Sequence, residues 1–433
     1  MTLIQPLILA LCVSAQPAAA PNQPRCGFGE IVPRQISQFA GQASDCAYTS
    51  TTINAEYDPA ELFDIPVVFH VIQDTNGTGF LSAATIQDQI DVLNEDFQAL
   101  AGTPGAGGVN TMIRFHLAKL DPSGTPTTGI TYDTNNSWFQ DNGSYWNSLA
   151  WDTNRYLNVY SNYPAGYYGY VPDWPQGGIV GQAVDRVVVW WEAVGKAPTS
   201  GWPGNMGRTL THEVGHYFGL EHPFYGGCAS ASSCYTNGDL ICDTNPQSNP
   251  NYGCPGSASS CGTSDAIHNY MDYTDDVCLN QFTPEQANRM RCTLQHWRPD
   301  LAVDCNTPYG QGCAGTGGFT PTLAIDGCVA ASAQVTLNIS GGLGGSSAFL
   351  VLGANQSAAP LGGSCTLNVS PLLPVILGPL PLSAGGPGAG SLQINAAIPP
   401  VTTAATIRVQ SFVTDGGSAV GFSNTPGVTV PVQ

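Results

Sequence analysis

The clearest chemical signal in this chain is the stretch HEVGHYFGLEH, which begins at His212. His212 and His216 are four positions apart, so on an α-helix both imidazoles project from one face, one turn apart. Two neutral imidazoles held in this way match two vertices of a tetrahedral zinc site, and Glu213 lies beside them to handle a proton. Gly219 has no Cβ and can adopt the positive φ that ends a helix, so His222 can return as the third ligand. The alternative, an amphipathic helix with chance histidines, is disfavoured by five fixed positions.

A methionine further along the chain extends this motif. Residues 269–276 read NYMDYTDD and place Met271 49 residues after His222. Together the two motifs resemble those of the metzincins, a family of zinc peptidases. Their residues are most similar to the motifs of the pappalysin-type (cytophagalysin) branch of that family. The resemblance covers approximately residues 57–302. Five neighbouring stretches agree with it: residues 65–72, 226–228, 238–239, 243–244 and 281–286.

This resemblance implies a zinc-dependent endopeptidase that acts on proteins or peptides. Zinc on the three histidines would keep one position for water and lower the pKa of that water toward about 7. Glu213 would accept a proton as the water attacks the peptide carbonyl, and would pass it to the leaving amine. In the family, the methionine that maps to Met271 lies beneath the metal. The tyrosine that maps to Tyr273 is a switch ligand or stabilises the oxyanion.

Isolated residues carry less weight than these motifs. A lone methionine or tyrosine usually belongs to the core, and only the joint spacing within Met-Asp-Tyr gives Met271 and Tyr273 a site role. One zinc site needs one set of histidine ligands, and that set is already complete. The remaining histidines are therefore interpreted as structural or surface residues: His70, His116, His268 and His296.

Composition and the N-terminus predict an exported protein. The chain has 14 cysteines, and their dense cluster between Cys228 and Cys292 is not expected in a reduced cytosolic enzyme. Residues 1–20 are typical of a signal peptide, with a short apolar core at residues 7–13 and small residues after it, although no Lys or Arg precedes that core. Cys12 follows a leucine, which argues against a lipoprotein anchor. No later segment resembles a transmembrane helix, so we expect secretion without stable membrane insertion.

The charge of the chain excludes two classes of partner. Only two lysines occur, and the formal net charge is -19. A protein this acidic is not expected to bind nucleic acid or to adhere to anionic lipid. The oligomeric state stays open.

The predicted fold is α+β, with a metzincin-like catalytic domain at residues 57–302 and an all-β domain after it. All eight tryptophans and all seven histidines fall within the catalytic domain. Its expected architecture is a twisted mixed sheet with long helices, among them the zinc helix, and the methionine turn. Apolar periodicity predicts a helix and four strands: helix 83–98 and strands 65–72, 113–120, 155–160 and 186–191.

One predicted strand is a candidate for substrate binding. In metzincins a sheet edge near the cleft pairs with extended substrate, and residues 185–191 are the candidate for that edge. These residues are mostly apolar and precede the zinc helix. The alternative is an ordinary buried strand.

The composition changes sharply over residues 303–433. No Trp, His or Lys occurs there, Arg408 is the one arginine, and Gly, Ala, Pro, Ser and Thr are abundant. Short β-type runs between turn signals predict a β-sandwich accessory domain: residues 320–325, 334–339, 348–353, 365–369, 391–394 and 406–413. Its role is open between a spacer and a module that binds a surface or the substrate.

Residues 21–56 are predicted to form a propeptide or N-terminal arm. Removal of Cys12 with the signal peptide leaves 13 of the 14 cysteines, so at least one thiol lacks an intramolecular partner. Cys26 is the best candidate, and its thiolate could bind zinc in place of water and silence the enzyme. Its Arg-Cys-Gly context resembles the cysteine switch of pappalysin-type zymogens. The alternative is an ordinary disulfide or a spare thiol. Cleavage beside Arg34 would release this segment and retain Cys46.

The other twelve cysteines are expected to form disulfides. The family resemblance implies two that tie loops beside the cleft, Cys228–Cys261 and Cys254–Cys278. The other pairings are guesses, since connectivity cannot be deduced from a sequence: Cys234–Cys242, Cys46–Cys292, Cys305–Cys313 and Cys328–Cys365.

Residues 237–244 suggest a second metal site. Calcium prefers hard oxygen ligands, which the carboxylates, carbonyls and hydroxyl groups of a turn can supply. Pappalysin-type enzymes bind calcium in this region, and the positions that align are Asp239, Cys242 through its carbonyl oxygen, and Thr244. The alternative is an Asx-type turn without a metal.

Two classes of function stay open. The first is an active secreted endopeptidase made as a zymogen. The second is a catalytically weak binding or adhesion protein that acts through its C-terminal β domain. The complete zinc motif favours the first class, because a scaffold needs none of its members together. Relatives favour basic residues next to the scissile bond, and Asp275 or Asp276 is a candidate for that preference.

Overall fold

The computed structural model describes most of the chain beyond its first residues. The described residues are 25–28, 44–60, 62–119, 121–123, 125–164, 166–196, 204–301, 303–304, 308–326, 334–397 and 405–432. The predicted signal peptide, Cys12, Arg34, Cys305 and Cys328 lie outside them. Within these ranges, no helix has the length and apolar character needed to cross a lipid bilayer.

The described residues up to 304 contain five α-helices, eleven strands and four short 3-10 turns. The helices are α1 (Ala83–Phe97), α2 (Asn136–Phe139), α3 (Trp146–Leu149), α4 (Arg208–Tyr217) and α5 (Pro284–His296). The strands are β1 (Cys46–Ala47), β2 (Ser50–Thr51), β3 (Phe63–Gln73), β4 (Ile113–Leu117), β5 (Ile130–Thr134), β6 (Leu157–Asn162), β7 (Gly169–Tyr170), β8 (Val187–Trp190), β9 (Ser259–Ser260), β10 (Thr263–Ser264) and β11 (Val303–Asp304). The 3-10 turns are Ala55–Tyr57, Pro175–Gly177, Trp191–Ala193 and Ala231–Ser233.

Seven of these strands form one mixed sheet in the order β11-β3-β6-β8-β7, with β4 and β5 also paired to β3. β3 runs parallel to β4, β5 and β6, and β6 runs parallel to β8. Ten of the eleven residues of β3 are buried, as expected for a parallel strand that is covered on both faces. β7 and β11 are antiparallel to their neighbours and lie at the two ends of this order.

The apolar periodicity predicted α1 to within one residue at its C-terminal end. Ser82 caps the helix by accepting a hydrogen bond from the amide of Thr85. The helix packs against β4 and α4. The apolar residues at helical spacing are all buried, as predicted: Ile86, Ile90, Leu93 and Phe97. The four predicted strands also form, with bounds that differ by at most three residues.

The prediction that residues 185–191 form the sheet edge is wrong. They contain β8, which lies between β6 and β7 inside the sheet. The edge on this side is β7, which is two residues long and pairs with β8 through Gly169 with Val189 and Tyr170 with Val188. A continuous apolar run is typical of an interior strand, because both of its faces are covered.

Five disulfides join described residues. Four were predicted: Cys46–Cys292, Cys228–Cys261, Cys234–Cys242 and Cys254–Cys278. The two pairs predicted for the C-terminal region, Cys305–Cys313 and Cys328–Cys365, are wrong, because Cys313 and Cys365 are bonded to each other. Cys313 forms a β-bridge with Asn424, which brings it beside the strand that Cys365 begins. This proximity depends on strand order and leaves no trace in cysteine spacing.

The described residues from 308 onward form a 3-10 turn, Thr316–Gly318, and nine strands: β12 (Pro308–Tyr309), β13 (Thr322–Asp326), β14 (Gln334–Leu343), β15 (Ser347–Gly362), β16 (Cys365–Pro381), β17 (Pro387–Ala397), β18 (Ala405–Thr414), β19 (Phe422–Asn424) and β20 (Gly427–Val432). One antiparallel sheet has the order β12-β20-β18-β15-β16 with β19 beside β18, and the other has the order β13-β14-β17. Side chains from both sheets share one apolar core, among them Leu323, Ile339, Leu350, Val409 and Val428. Two sheets that share a core form a sandwich-like arrangement. The division of the chain into separate domains stays a prediction.

Candidate metal centre

α4 carries the first two histidines of the predicted zinc motif. Gly207 precedes the helix with a φ of 78°, and all ten helical residues are buried. The backbone amides of Met206 and Arg208 donate to one carboxylate oxygen of Asp276, at 2.9 and 3.1 Å. This carboxylate partners amide groups at the N-terminus of the helix and lies at the positive end of the helix dipole. Asp276 therefore fixes the start of α4.

The chain reverses at the end of α4. Gly219 has a φ of 87°, and the amide of Leu220 donates to the carbonyl of Gly215 at 3.0 Å. A left-handed glycine after the last turn is a common helix ending. A Cβ at Gly219 would lie 2.8 Å from the hydroxyl oxygen of Thr293, so a larger residue would also collide there. The reversal brings His222 back to the helix, as the motif predicted.

The three histidines converge on one point. The Nε2 atom of His216 lies 3.1 Å from that of His212 and 3.0 Å from that of His222, and the remaining pair is 3.2 Å apart. Zinc at about 2.0–2.1 Å from each nitrogen would space tetrahedral ligands by about 3.3 Å. The spacing of these nitrogens therefore fits a zinc ion.

The outer nitrogens of two of these rings fix their protonation. The Nδ1 atom of His212 lies 2.7 Å from the carbonyl oxygen of Tyr270, and that of His216 lies 2.7 Å from the carbonyl oxygen of Leu220. A carbonyl only accepts, so each Nδ1 carries the proton and each Nε2 presents a lone pair to the centre. Burial is the main cause that lowers the pKa of His212 well below its ordinary value, and the charge of a neighbouring protonated His216 would lower it further. Neutral imidazoles are the form that binds a metal.

Cys26 completes a four-residue group around this point. One possible ligand atom each from Cys26, His212, His216 and His222 lie within 4.8 Å of one another, and all four residues are buried. Among the described residues, Cys26 is the one cysteine without a disulfide. Its sulfur accepts a hydrogen bond from the amide of Phe28 at 3.2 Å. The thiol lies 3.4 Å from a carboxylate oxygen of Glu213, whose pKa burial raises to about 8.

The segment that carries Cys26 runs along the edge strand β7. The amide of Gly27 donates to the carbonyl of Gly169 at 2.9 Å, and the amide of Tyr168 donates to the carbonyl of Arg25 at 3.2 Å. Cys26 and Gly169 form a parallel β-bridge. Residues 25–27 therefore bind as an added strand along this edge of the sheet.

Arg25 anchors this segment through its guanidinium group. Nη1 donates to the carbonyl oxygen of Thr274 at 2.8 Å, and Nη2 forms an ion pair with Asp276. Both Arg25 and Asp276 are buried. A buried charge needs a partner, and each of these residues supplies one for the other.

Met271 and Tyr273 both lie at the centre, where the motif placed them. Met271 is fully buried, and a Cβ added to Gly215 of α4 would collide with its sulfur. The ring centroid of Tyr273 lies 5.7 Å from that of His212 and 5.0 Å from that of His222. Its hydroxyl donates to the carbonyl oxygen of Cys26 at 3.2 Å. The tyrosine hydroxyl therefore reaches a backbone carbonyl beside the histidines.

Comparisons with known proteins agree with this geometry. Residues 142–295 match the sequence profile of the peptidase M43 family, described as pregnancy-associated plasma protein-A. Extracellular metalloprotease 1 of Coccidioides posadasii is 32% identical over 300 residues, which cover 67% of this chain and 97% of that protein. The chain belongs to this metallopeptidase family. An extracellular metalloprotease of Verticillium alfalfae is 34% identical over 289 residues, which cover 64% of this chain and 93% of that protein.

A solved structure is also similar to this M43 peptidase over part of its length. Promirolysin of Tannerella forsythia is 32% identical, and it aligns with a TM-score of 0.49 over 57% of this chain and 86% of that chain. As a member of the M43 family, the protein is a metalloendopeptidase.

Sequence reasoning did not single out Gly169, which packs directly against Glu213. A Cβ at this residue would lie 2.8 Å from Cγ of Glu213 and 3.0 Å from the carbonyl oxygen of Val188. The edge strand can approach Glu213 this closely only because the residue has no side chain. The sequence around it is rich in glycine and tyrosine, and no alternation of polar and apolar residues marks the strand.

Asp96, at the end of α1, is a second missed residue. Its carboxylate accepts hydrogen bonds from the hydroxyl of Thr211 at 2.7 Å and from the hydroxyl of Tyr270 at 2.8 Å, and it pairs with Arg208 at 3.2 Å. Burial raises its pKa to about 6, against the charge of Arg208. The carboxylate ties α1, α4 and the methionine turn together. Its signal in the sequence is a lone acidic residue within an apolar helix face, and such a residue does not by itself indicate a functional site.

The three predicted calcium ligands lie within one short stretch, and two of them, Asp239 and Thr244, are hydrogen-bonded to each other. The hydroxyl of Thr244 donates to a carboxylate oxygen of Asp239 at 2.5 Å, and the amide of Ile241 donates to the other at 3.2 Å. Burial raises the pKa of Asp239 to about 8. Cys242 donates its amide to Glu285 at 2.7 Å. A cavity of about 330 Å³ is lined by these three predicted residues among others. Calcium at this turn stays a prediction.

Proposed function

We propose that this protein is a secreted zinc endopeptidase that is made as an inactive zymogen. The observation that carries the proposal is the convergence of three histidine nitrogens within 3.2 Å of one another beside a buried glutamate. A hydrolytic zinc site has three protein ligands and one position for water, and these three histidines would supply the protein ligands. The relatives that are named extracellular metalloproteases support secretion.

The chain's own residues would divide the reaction between them. Zinc held by the three histidines would supply Lewis acidity toward a peptide carbonyl and a water molecule. Glu213 lies next to this position and would accept the proton of the attacking water, then deliver it to the leaving amine. Tyr273 already donates to a backbone carbonyl and would donate to the substrate carbonyl oxygen as negative charge develops there. Met271 would support the histidines from below through its contact with α4.

The N-terminal segment would keep the zymogen inactive. Cys26 offers a thiolate ligand at the position that the catalytic water would need. The residues beside Cys26 pair with the edge strand β7, where the substrate would otherwise pair. Cleavage beside Arg34 would separate this segment from the hairpin β1–β2, which the Cys46–Cys292 disulfide holds to α5. Activation would therefore remove the inhibitor and leave the hairpin in place.

Arg25 suggests the substrate preference. It occupies a buried position that offers the carboxylate of Asp276 and the carbonyl of Thr274. Once the segment leaves, a basic side chain of a substrate would find the same partners beside the scissile bond. A buried, charge-assisted pair discriminates strongly against uncharged side chains, because they leave the carboxylate without its partner. We propose an arginine-directed peptidase.

A comparison of the wild type with Glu213→Ala tests the central proposal. Both proteins are activated by proteolysis, and their zinc content and their hydrolysis of a peptide mixture are measured. One zinc ion in each protein, with cleavage only by the wild type, is the expected result. A wild type that binds zinc and cleaves no peptide after removal of residues 21–34 would overturn the proposal.

A further inference from the structure

The N-terminal segment inserts a second side chain into the cleft, beyond the arginine. Phe28 is only 6% exposed, and its ring stacks on that of His216 with the centroids 4.4 Å apart and the planes 24° apart. The ring of Trp174 lies 6.0 Å away at an interplanar angle of 26°. Arg25 and Phe28 lie on either side of Cys26 in the chain, so the segment fills positions on both sides of the metal centre.

The residues around this ring belong to the body of the protein. Trp174 is buried and begins the 3-10 turn Pro175–Gly177. The amide side chain of Gln176 in this turn donates to the carbonyl of Cys46 at 2.8 Å. Tyr48, from the turn between β1 and β2, places its ring 5.7 Å from that of Trp174. Trp174 and Tyr48 therefore form an aromatic wall beside the Phe28 ring, and the elements that carry them remain after cleavage at Arg34.

Arg289 of α5 holds this wall rigid. Its Nη2 atom donates to the carbonyl of Ala47 at 3.0 Å, and its Nε atom donates to the carbonyl of Gly219 at 2.8 Å. Its guanidinium lies 5.4 Å from the centroid of the Trp174 ring. The same residue thus fixes the hairpin and the end of the zinc helix. A subsite that is formed in advance binds without an ordering cost.

We propose that Trp174, Tyr48 and His216 form an aromatic subsite for the substrate, which binds an aromatic or other bulky apolar side chain. The subsite lies across the scissile bond from the basic side chain that Asp276 receives. Stacked aromatic pairs add to the gain from burying a ring, so such side chains bind more tightly than small ones. This inference rests on the proposed function, because it specifies the substrates of the same site.

The first test measures the chemical reactivity of the Cys26 thiol in the full-length chain and does not depend on peptidase activity. Reaction with a thiol reagent is measured by mass spectrometry of the peptide that contains Cys26, in wild type, Phe28→Ala and Phe28→Trp. Loss of the ring should release the segment and speed the labelling roughly tenfold or more, whereas tryptophan should keep it slow. Phe80→Ala is the matched control, because Phe80 is 54% exposed and stacks on Tyr132. Equal labelling of Phe28→Ala and wild type would overturn the inference.

The second test maps cleavage sites of the activated enzyme in a peptide library. Wild type should enrich aromatic residues within two positions of the scissile bond, on the side away from the basic residue. Trp174→Leu should reduce that enrichment roughly tenfold and keep the preference for a basic residue. Asp276→Asn should reduce the preference for a basic residue and keep the aromatic enrichment. Cleavage without aromatic enrichment would overturn the subsite and leave the peptidase intact. Absence of all cleavage would refute the proposed function, and the labelling of Cys26 would then decide the subsite alone.

Discussion

The substitution Gly169→Ala tests the geometry of the centre most directly. The added methyl group would lie 2.8 Å from Cγ of Glu213, whereas carbon atoms in contact are normally about 3.5–4.0 Å apart. It would also lie 3.0 Å from the carbonyl oxygen of Val188, which is part of β8 and cannot yield easily. Either Glu213 or the edge strand must therefore move by about 1 Å.

A displacement of this size is expected to lower kcat/KM on the order of a hundredfold, because catalysis depends on near-attack geometry. Zinc content should stay unchanged, since the added methyl group would meet Glu213 and β8 before any of the three histidines. Gly256→Ala is the matched control, because a methyl group there would have no atom within 4 Å and the residue needs no positive φ. Peptide hydrolysis, zinc content and thermal unfolding are measured on all three proteins. A folded Gly169→Ala enzyme with kcat/KM within threefold of the wild type would show that Glu213 tolerates this crowding, contrary to the expectation.

Four other perturbations test the remaining contacts. Asp276→Asn should reduce selectivity for arginine over leucine beside the scissile bond roughly tenfold or more, and peptide kinetics with an unchanged ratio would contradict the pocket. Cys26→Ala should make the uncut chain at least roughly tenfold more active, since no thiol competes for zinc; equal activity of both uncut chains would exclude the switch. A strong zinc chelator should abolish hydrolysis and added zinc should restore it, while EGTA should lower Tm only if residues 237–244 bind calcium. Burial disfavours the charged form of Asp64, yet His116 and Arg114 lower its pKa to about 2. Its stabilisation is therefore present above the unfolded pKa of about 4 and is lost as the pH falls through about 2, so the deficit of Asp64→Asn in urea unfolding, roughly 2 kcal/mol at pH 7, should shrink in acid.

The zinc helix could be predicted because its constraints are local. The spacing of two histidines fixes one helix face, and Gly219 alone among the residues between α4 and His222 has the backbone freedom to end the helix by a left-handed turn. The same is true of α1, where apolar spacing and the Ser82 cap lie within one segment. Cysteine parity predicted at least one unpaired thiol and the Arg-Cys-Gly context favoured Cys26, which the described structure places at the histidines without a disulfide.

The edge strand could not be predicted because it is defined by its neighbours. β7 has two residues, and only pairing with β8 makes it a strand. The longer run at residues 185–191 was the predicted edge, although its mostly apolar character indicates an interior position. The Cys313–Cys365 pair could not be predicted for a related reason. Its partners are 52 residues apart, and the order of strands in the C-terminal sheet decides which cysteine lies nearby.

Asp276 connects these local and distant features. In this structure one carboxylate oxygen of Asp276 accepts hydrogen bonds from the two amides at the start of α4, and the other accepts one from Arg25. When the segment leaves, the two amides remain and the helix dipole continues to favour a negative charge there. The carboxylate therefore keeps its orientation, while its second oxygen loses the guanidinium partner. Under the proposed function, a basic side chain of the substrate would restore the lost pair at little ordering cost, and the carboxylate that holds Arg25 in this structure would also select the substrate that replaces it.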